Sequence, residues 1–210
     1  YLTTSGAAAQ SFVHNFDLTP LSYTIGGTVN GLVGSGLVLQ NNGGDALPIS
    51  GNGPFTFPTA LVDLSAYTVT VQAQPNGPSQ TCSVSNGEGA LAGASITTVS
   101  ISCSTDNFTI GGTVSGLVGS GLVLQNNGGD ALPISGNGPF TFPTALVDLS
   151  AYTVTVQAQP DGPSQTCSVS NGSDALAGSN VTSVNVTCGT DSFTIGGTVS
   201  GLVGSGLVLQ

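Results

Sequence analysis

The sequence predicts an all-β protein built from tandem seven-stranded β-sandwiches, each closed by one internal disulfide. Three observations predict this class. Of the 210 residues 39% are hydrophobic, and the 32 glycines and 11 prolines separate short apolar runs, which is typical of strands joined by tight turns. A unit of 85 residues recurs along the chain, and each complete copy carries two cysteines.

The repeat sets the expected domain organisation. Residues 23–107 and 108–192 agree at 71 of 85 positions, and residues 193–210 match 108–125 letter for letter. A period of this length suits a whole small domain rather than a solenoid coil of roughly 20–50 residues. We therefore predict repeat 1 at 23–107, repeat 2 at 108–192, and the first two strands of an incomplete repeat 3 at 193–210. Residues 1–22 match nothing in the repeat, and we interpret them as a donor strand or as the end of a preceding domain.

The first four strands of repeat 1 are separated by glycine-rich turns. Alternation of apolar and polar residues places these strands at about residues 23–29, 36–40, 45–49 and 55–57. The run Asn-Asn-Gly-Gly at 41–44 makes the turn before the third strand. Ser-Gly-Asn-Gly-Pro at 50–54 makes the turn before the fourth.

The last three strands carry the clearest pattern. Residues 67–73 alternate strictly between apolar and polar side chains, and two further strands follow at about 80–85 and 97–103. Helical periodicity is weak throughout, apart from a turn at 60–65, where Asp63 is interpreted as a turn or cap residue. Seven short strands at this spacing favour a β-sandwich.

The cysteines support this arrangement. If the last two strands of a repeat pair antiparallel, their cysteines lie opposite each other on the buried face. Four cysteines allow three connectivities, and the period favours Cys82–Cys103 and Cys167–Cys188. Zinc is a weaker interpretation because the cysteines are far apart with no histidine nearby, and no Cys-x-x-Cys redox motif exists. Disulfides indicate an oxidising compartment, so we expect a secreted or cell-surface location.

Four segments of the repeat occur in a familiar order. They are Ile-Gly-Gly-Thr-Val at 25–29, Gly-Leu-Val-Leu at 36–39, Asn-Gly-Pro-Phe-Thr-Phe at 52–57 and Tyr-Thr-Val-Thr-Val at 67–71. This order resembles prealbumin-like and carboxypeptidase-regulatory-like modules and the B-type repeats of bacterial collagen adhesins. The resemblance covers residues 23–210 and implies Ig-like β-sandwiches in a bacterial surface protein. Several such modules carry a Lys–Asn isopeptide cross-link; this chain has no Lys, so the disulfide would fill that role.

The charge composition excludes several functions. The chain has no Lys or Arg, ten acidic residues and one histidine, giving a formal net charge of −10. It therefore lacks the cations that neutralise a nucleic-acid backbone or bind an anionic membrane surface. P-loop and Schiff-base chemistry lack their lysine. No apolar run reaches the roughly 18–20 residues of a membrane helix, so we expect no membrane insertion. No signal peptide is visible, and we expect a mature protein or a fragment.

Enzymatic chemistry has few candidate residues, and we predict no catalytic residue, no cofactor and no enzyme activity. The single histidine, His14, lies outside the repeats, so neither repeat can hold a Ser-His-Asp or Cys-His arrangement. Asp106 and Asp191, at the ends of the two repeats, are candidate calcium ligands. The alternative is a solvated linker residue, because calcium prefers several carboxylates together.

Four Asn-x-Ser/Thr sequons are candidate glycosylation sites in a secreted protein. They begin at Asn107, Asn171, Asn180 and Asn185. The chain is rich in Asn, Ser and Thr, so chance matches are the alternative interpretation, and Asn185 lies inside a predicted strand.

These observations predict a structural subunit of an extracellular filament, sheath or stalk. Terminal strands of one subunit would complete another by β-strand addition, giving a homo-oligomer or polymer. An incomplete repeat would leave apolar residues such as Leu202 and Val203 exposed; the alternative is that 193–210 belongs to a longer repeat protein. The alternative functions are the repeat spacer of a cell-surface adhesin and the accessory array of a large secreted enzyme.

Overall fold

The computed structural model describes residues 19–210, and in this part of the chain every regular element is a β-strand. The chain divides into two compact units. Of the described residues, the first comprises 19–76 and Gln80–Ser104, and the second comprises Gly77–Ser79 and Thr105–Gln210. His14 and most of the predicted segment 1–22 lie outside the described residues. The predicted domain limits stay predictions. Within residues 19–210 no helix is long and apolar enough to cross a membrane.

The first unit has ten strands, β1 to β10, among its described residues. Two four-stranded sheets have the orders β5-β2-β10-β8 and β4-β3-β7-β9, and β1 pairs with β6 in a short ribbon. In chain order the strands are Ser22–Tyr23, Ile25–Asn30, Val38–Asn41, Asp45–Pro48, Gly53–Thr56, Leu61–Val62, Ala66–Ala73, Gln80–Ser85, Glu88–Ala90 and Ile96–Thr105.

The second unit repeats this topology with strands β11 to β20. Its sheets have the orders β15-β12-β20-β18 and β14-β13-β17-β19, with a β11–β16 ribbon. In chain order the strands are Asn107–Phe108, Ile110–Ser115, Val123–Asn126, Asp130–Pro133, Gly138–Thr141, Leu146–Val147, Ala151–Ala158, Gln165–Ser170, Ser173–Ala175 and Val181–Thr190.

The tandem β-sandwich prediction is confirmed, and all seven predicted strands of repeat 1 are present within a few residues. The sequence does not predict three further strands, which are Ser22–Tyr23, Leu61–Val62 and Glu88–Ala90. They are two or three residues long, which is too short for an alternating pattern to show. The predicted turn at 60–65 contains one of them, and the turn proper is formed at Leu64, whose φ is +66°.

Each unit has one hydrophobic core between its two sheets. In Ala66–Ala73 the odd-numbered side chains point inward and the even-numbered ones outward, as the alternation predicted. Two phenylalanines, Phe55 and Phe57, meet edge to face with ring centroids 5.8 Å apart. Burial of such aliphatic and aromatic area is the main favourable term in folding. The fully buried residues of the first core include Ile25, Val29, Leu37, Leu39, Phe57, Leu91 and Ile101.

The Ile-Gly-Gly-Thr-Val motif lies at the centre of one sheet in each unit. Strands β2 and β10 pair in parallel, with Gly27 opposite Val99. A Cβ at Gly27 would collide with the Val99 carbonyl oxygen, and Gly112 has the same relation to Val184 in the second unit. The glycine is therefore needed for close approach of the two backbones.

The predicted disulfides are confirmed. Cys82 is bonded to Cys103 and Cys167 to Cys188, with a sequence separation of 21 in each case. In the second unit β18 and β20 pair antiparallel with Cys167 directly opposite Cys188, the register that the sequence predicted. A loop of this length is worth roughly 3 kcal/mol in the chain-entropy model.

Replacing Gly112 by Ala should destabilise the second unit by about 1–3 kcal/mol, because the added methyl group forces the central parallel strands apart. Urea unfolding followed by circular dichroism measures the change. Gly129→Ala is the matched control, since no atom in the described part of the chain lies within 4 Å of a Cβ at Gly129. Equal stability of the two variants would contradict the close-approach role.

Removing one disulfide as Cys167→Ala with Cys188→Ala should lower the unfolding free energy of that unit by about 2–5 kcal/mol. The change Cys82→Ala with Cys103→Ala should cost the first unit a similar amount, since the closed loops are equal in length. Differential scanning calorimetry checks both. A Tm unchanged by removal of either disulfide would refute the stabilising role.

Candidate interaction site

The described residues show no arrangement typical of a catalytic centre. All four cysteines form disulfides, and residues 19–210 contain no group of three or more His, Cys, Asp or Glu that could hold a metal ion. A shallow cleft of about 300 Å³ recurs in both units beside the turn before β5 or β15, and no titratable side chain lines it. Its chemistry is limited to apolar, amide and hydroxyl contacts.

The predicted calcium ligands lie beside two serines. The backbone N–H of Asp106 donates to the Ser79 carbonyl, and that of Asp191 donates to the Ser164 carbonyl, both at 3.0 Å. The carboxylate of Asp191 also accepts hydrogen bonds from the hydroxyls of Ser164 and Thr166, at 2.8 and 2.9 Å. Calcium binding at Asp106 and Asp191 stays a prediction.

All four sequon asparagines have exposed side chains. Asn185 lies on β20 between the inward-pointing Val184 and Val186, so its side chain points outward. Asn180 Oδ1 accepts a hydrogen bond from the Thr109 N–H at 2.9 Å. Glycosylation at Asn107, Asn171, Asn180 and Asn185 stays a prediction.

The most highly coordinated carboxylate of the second unit is that of Asp148. It follows β16, is only 6% exposed, and donates its own N–H to the Asp106 carbonyl at 2.9 Å. Its Oδ2 accepts from the Ser79 N–H at 2.7 Å, and its Oδ1 accepts from the Gly178 N–H at 2.8 Å. These hydrogen bonds, that of the Ser79 N–H first and that of the Gly178 N–H second, hold the pKa of Asp148 below its ordinary 3.8 and outweigh the opposing effect of burial.

The tripeptide Gly77–Ser79 lies against the turn that contains Asp148. Gly77 has a φ of +62° and is joined to Pro78 by a cis peptide bond. A Cβ built at Gly178 would lie 3.0 Å from Ser79 Oγ. The second unit therefore contains a carboxylate turn, at Asp148, with a Gly-Pro-Ser tripeptide bound to it.

The equivalent carboxylate turn of the first unit, at Asp63, is open among the described residues. Asp63 Oδ1 accepts from the N–H groups of Leu64 and Gly93, at 3.0 and 2.8 Å, and no described residue donates to Oδ2. No atom of residues 19–210 lies within 4 Å of a Cβ at Gly93. Leu64 is 79% exposed, against 53% for its counterpart Leu149. The two turns have the same sequence, but among the described residues only the turn at Asp148 has a tripeptide bound to it.

The structure brings Ser79 and Asp148 together, a contact that the sequence does not predict. Asp63 lies in a turn, as the sequence predicts, and its counterpart Asp148 lies in the equivalent turn of the second unit. The pairing of Asp148 with Ser79 joins positions 69 residues apart. No local pattern signals it; the only sequence feature in common is that both the turn and the Gly-Pro-Ser segment recur in each repeat.

The segment 193–210 has the sequence of 108–125 in a different structural state. In the second unit this sequence supplies β12 and β13 and buries Ile110, Val114 and Leu124. In 193–210 it forms no strand, and apolar residues such as Ile195 and Val203 are fully exposed. An identical sequence is therefore folded in one place and unpaired in the other.

Comparisons with known proteins do not assign this chain to a family. No family model matches it, and no curated protein matches it. Among solved structures it is similar to the major pilin protein T-13 of Streptococcus pyogenes, with 11% identity over 81% of this chain and 97% of that one, and a TM-score of 0.22. At that score the two folds are not shown to be the same.

The hydrogen bonds to Asp148 predict a pH-dependent contribution to stability. A carboxyl whose folded-state pKa is lowered stabilises the fold above its ordinary value of 3.8, and this contribution is lost as the pH falls through the folded-state pKa. Asp148→Asn should therefore destabilise the protein at pH 7, and its difference from wild type should shrink below about pH 3.8. Urea midpoints at pH 7 and in acid measure this.

Asp63→Asn is the matched control for the Asp148 experiment. Asp63 lacks the hydrogen bond that Ser79 gives to Asp148, so its replacement should change the urea midpoint less at pH 7. A difference between wild type and Asp148→Asn that stays constant from neutral to acid pH would contradict the assigned cause.

Proposed function

We propose that this chain is a structural subunit of an extracellular filament, sheath or stalk built from tandem Ig-like domains, without a catalytic role. The observation that carries the proposal is the recurrence of one disulfide-closed β-sandwich in both units, and residues 193–210, which have the sequence of two core-forming strands and expose apolar side chains, are the proposed pairing segment. Contiguous exposed apolar residues of this kind typically mark an interaction surface.

The second unit indicates which pairing suits this segment. Strand β12 is hydrogen-bonded on both sides, antiparallel to β15 and parallel to β20. Its inward residues Ile110 and Val114 are buried, and their counterparts in the terminal segment are Ile195 and Val199. An extended segment gains affinity from main-chain hydrogen bonds and specificity from alternate side chains when it pairs with a sheet. We propose that residues 193–210 of one subunit pair in this way with a neighbouring subunit.

Such a contact joins different surfaces on the two partners. A head-to-tail contact of this type gives a ring if it closes and an extended filament if it does not. The two disulfides support an extracellular, oxidising location. With no Lys or Arg, the chain has no side chain that trypsin-like proteases recognise and almost no ion pair to be weakened by salt. These properties suit a durable outer structure.

The spacer of a cell-surface adhesin is the second candidate function. The observation in its favour is that both units have the same strand orders, the same disulfide and the same shallow, uncharged cleft. Repeating one disulfide-closed domain lengthens the protein without requiring a binding site in each domain. The two candidates differ in whether purified chains associate with one another.

Electron microscopy of the purified chain tests the filament proposal. We expect the full chain to form filaments, and Val199→Asp to abolish them because its counterpart Val114 is buried in a sandwich. Thr198→Asp is the matched control and should still assemble, since its counterpart Thr113 points outward from β12. Monomeric particles at all concentrations, or equal assembly of the two variants, would overturn strand pairing by this segment.

A further inference from the structure

The chain contains eight Asn-Gly pairs, the dipeptide in which an asparagine side chain is most prone to attack by the next backbone nitrogen. Glycine has no Cβ to hinder that nitrogen and allows the backbone conformations that the attack requires. The counterpart of Asn76-Gly77 in the second repeat is Asp161-Gly162. This position therefore occurs in both the amide and the acid form within one chain.

We propose that Asn76 is a site of spontaneous deamidation. The Gly77 nitrogen attacks Asn76 Cγ, and the new C–N bond closes a cyclic succinimide. The Cγ–Nδ2 bond breaks, and ammonia leaves with the proton that the Gly77 nitrogen has lost. Water then opens the ring, giving aspartate when the bond between the Gly77 nitrogen and Cγ breaks, or isoaspartate when the original peptide bond breaks. Water is the only co-reactant, and no atom changes its oxidation state.

The second unit shows the geometry that the attack requires. The Gly162 N–H donates to Asp161 Oδ1 at 2.7 Å, and this carboxylate oxygen stands in for the amide oxygen of an asparagine. Cγ is one bond away from that oxygen, so the backbone nitrogen lies close to the carbon that it would attack. Proximity of this kind removes much of the entropic barrier to a ring closure.

The backbone at Asn76 is held in the same way as the backbone at Asp161. The Asn76 N–H donates to the Ser35 carbonyl, and the Ser35 N–H donates to the Asn76 carbonyl, both at 2.9 Å. The second unit has the same pair of hydrogen bonds, at 2.8 and 2.9 Å. Gly77 and Gly162 share a φ of +62°. The side chain of Asn76 can therefore reach the next nitrogen as that of Asp161 does.

Six of the eight Asn-Gly pairs have an asparagine side chain that is held by hydrogen bonds. At Asn52, Oδ1 accepts from the Leu32 N–H and Nδ2 donates to the Leu32 carbonyl, both at 2.8 Å. Such a side chain must first break its hydrogen bonds before it can turn towards the following nitrogen, and this costs free energy. The six are Asn42, Asn52, Asn86, Asn127, Asn137 and Asn171.

The remaining two, Asn30 and Asn76, have exposed side chains that make no hydrogen bond within residues 19–210. Asn30 is the last residue of β2 and pairs with Ser102 of β10. The following Gly31 packs so closely on the Cys103 carbonyl that a Cβ there would collide with it. Asn76 lies outside the strands, so its side chain can approach the next nitrogen without loss of a hydrogen bond or of strand pairing.

Deamidation places a carboxylate where the second unit already has one. An aspartate at position 76 can accept the Gly77 N–H as Asp161 accepts the Gly162 N–H, and it adds one negative charge to the formal −10 of the chain. Isoaspartate instead lengthens the main chain between residues 76 and 77, next to the backbone hydrogen bonds with Ser35. We therefore expect the folded chain to give a larger share of aspartate than the urea-unfolded chain.

Mass spectrometry of the full chain after incubation in mildly alkaline buffer tests the proposal, because deprotonation of the attacking nitrogen speeds ring closure. Pepsin digestion in acid then halts the reaction and requires no Lys or Arg. We expect Asn76 to deamidate at least about tenfold faster than Asn52, whose hydrogen bonds must first break. In urea the two rates should become similar, because both sites are then unfolded Asn-Gly dipeptides. Equal rates in the folded chain, or a faster rate at any of the other seven pairs, would overturn the proposal.

Two variants separate the geometry of the site from its composition. Asp161→Asn places an asparagine in the observed attacking geometry, so it should deamidate at a rate comparable to that of Asn76 and regenerate the original residue. Asn76→Gln is the matched control and should stay unmodified, because its longer side chain would have to close a larger ring. Circular dichroism checks that both variants fold. An Asp161→Asn chain that keeps its new amide, or an unchanged rate of ammonia release from Asn76→Gln, would contradict the assignment.

Discussion

The absence of cationic side chains is the constraint on which the rest of this structure depends. With no Lys or Arg in 210 residues, carboxylates must be satisfied by neutral donors. Where they are bonded in the described part of the chain, the donors are backbone N–H groups and hydroxyls, as at Asp63, Asp148 and Asp191. Asp130 Oδ2 is buried without a hydrogen-bond partner there, although its counterpart in Asp45 accepts from Thr59. A backbone N–H has a fixed position, so each bonded carboxylate fixes the conformation of a loop.

Without ion pairs, cohesion comes from apolar burial, backbone ladders and covalent bonds. The alternation in Ala66–Ala73 supplies the buried face, and the glycine at position 27 allows the two central strands to approach. The disulfides join the last strands of each sandwich at facing positions, as Cys167 and Cys188 show. None of these interactions is screened by salt, which separates them from the surface ion pairs that most domains carry.

The strands and disulfides could be predicted from the sequence because both depend on local periodicity or on the 85-residue repeat. The bonding of Ser79 to Asp148 could not, since nothing near either residue specifies a partner 69 positions away. The segment 193–210 shows the same limit more directly. Its sequence is identical to that of 108–125, yet among residues 19–210 only the earlier copy is paired with neighbouring strands. Strand formation in this sequence is therefore decided by available partners rather than by intrinsic preference.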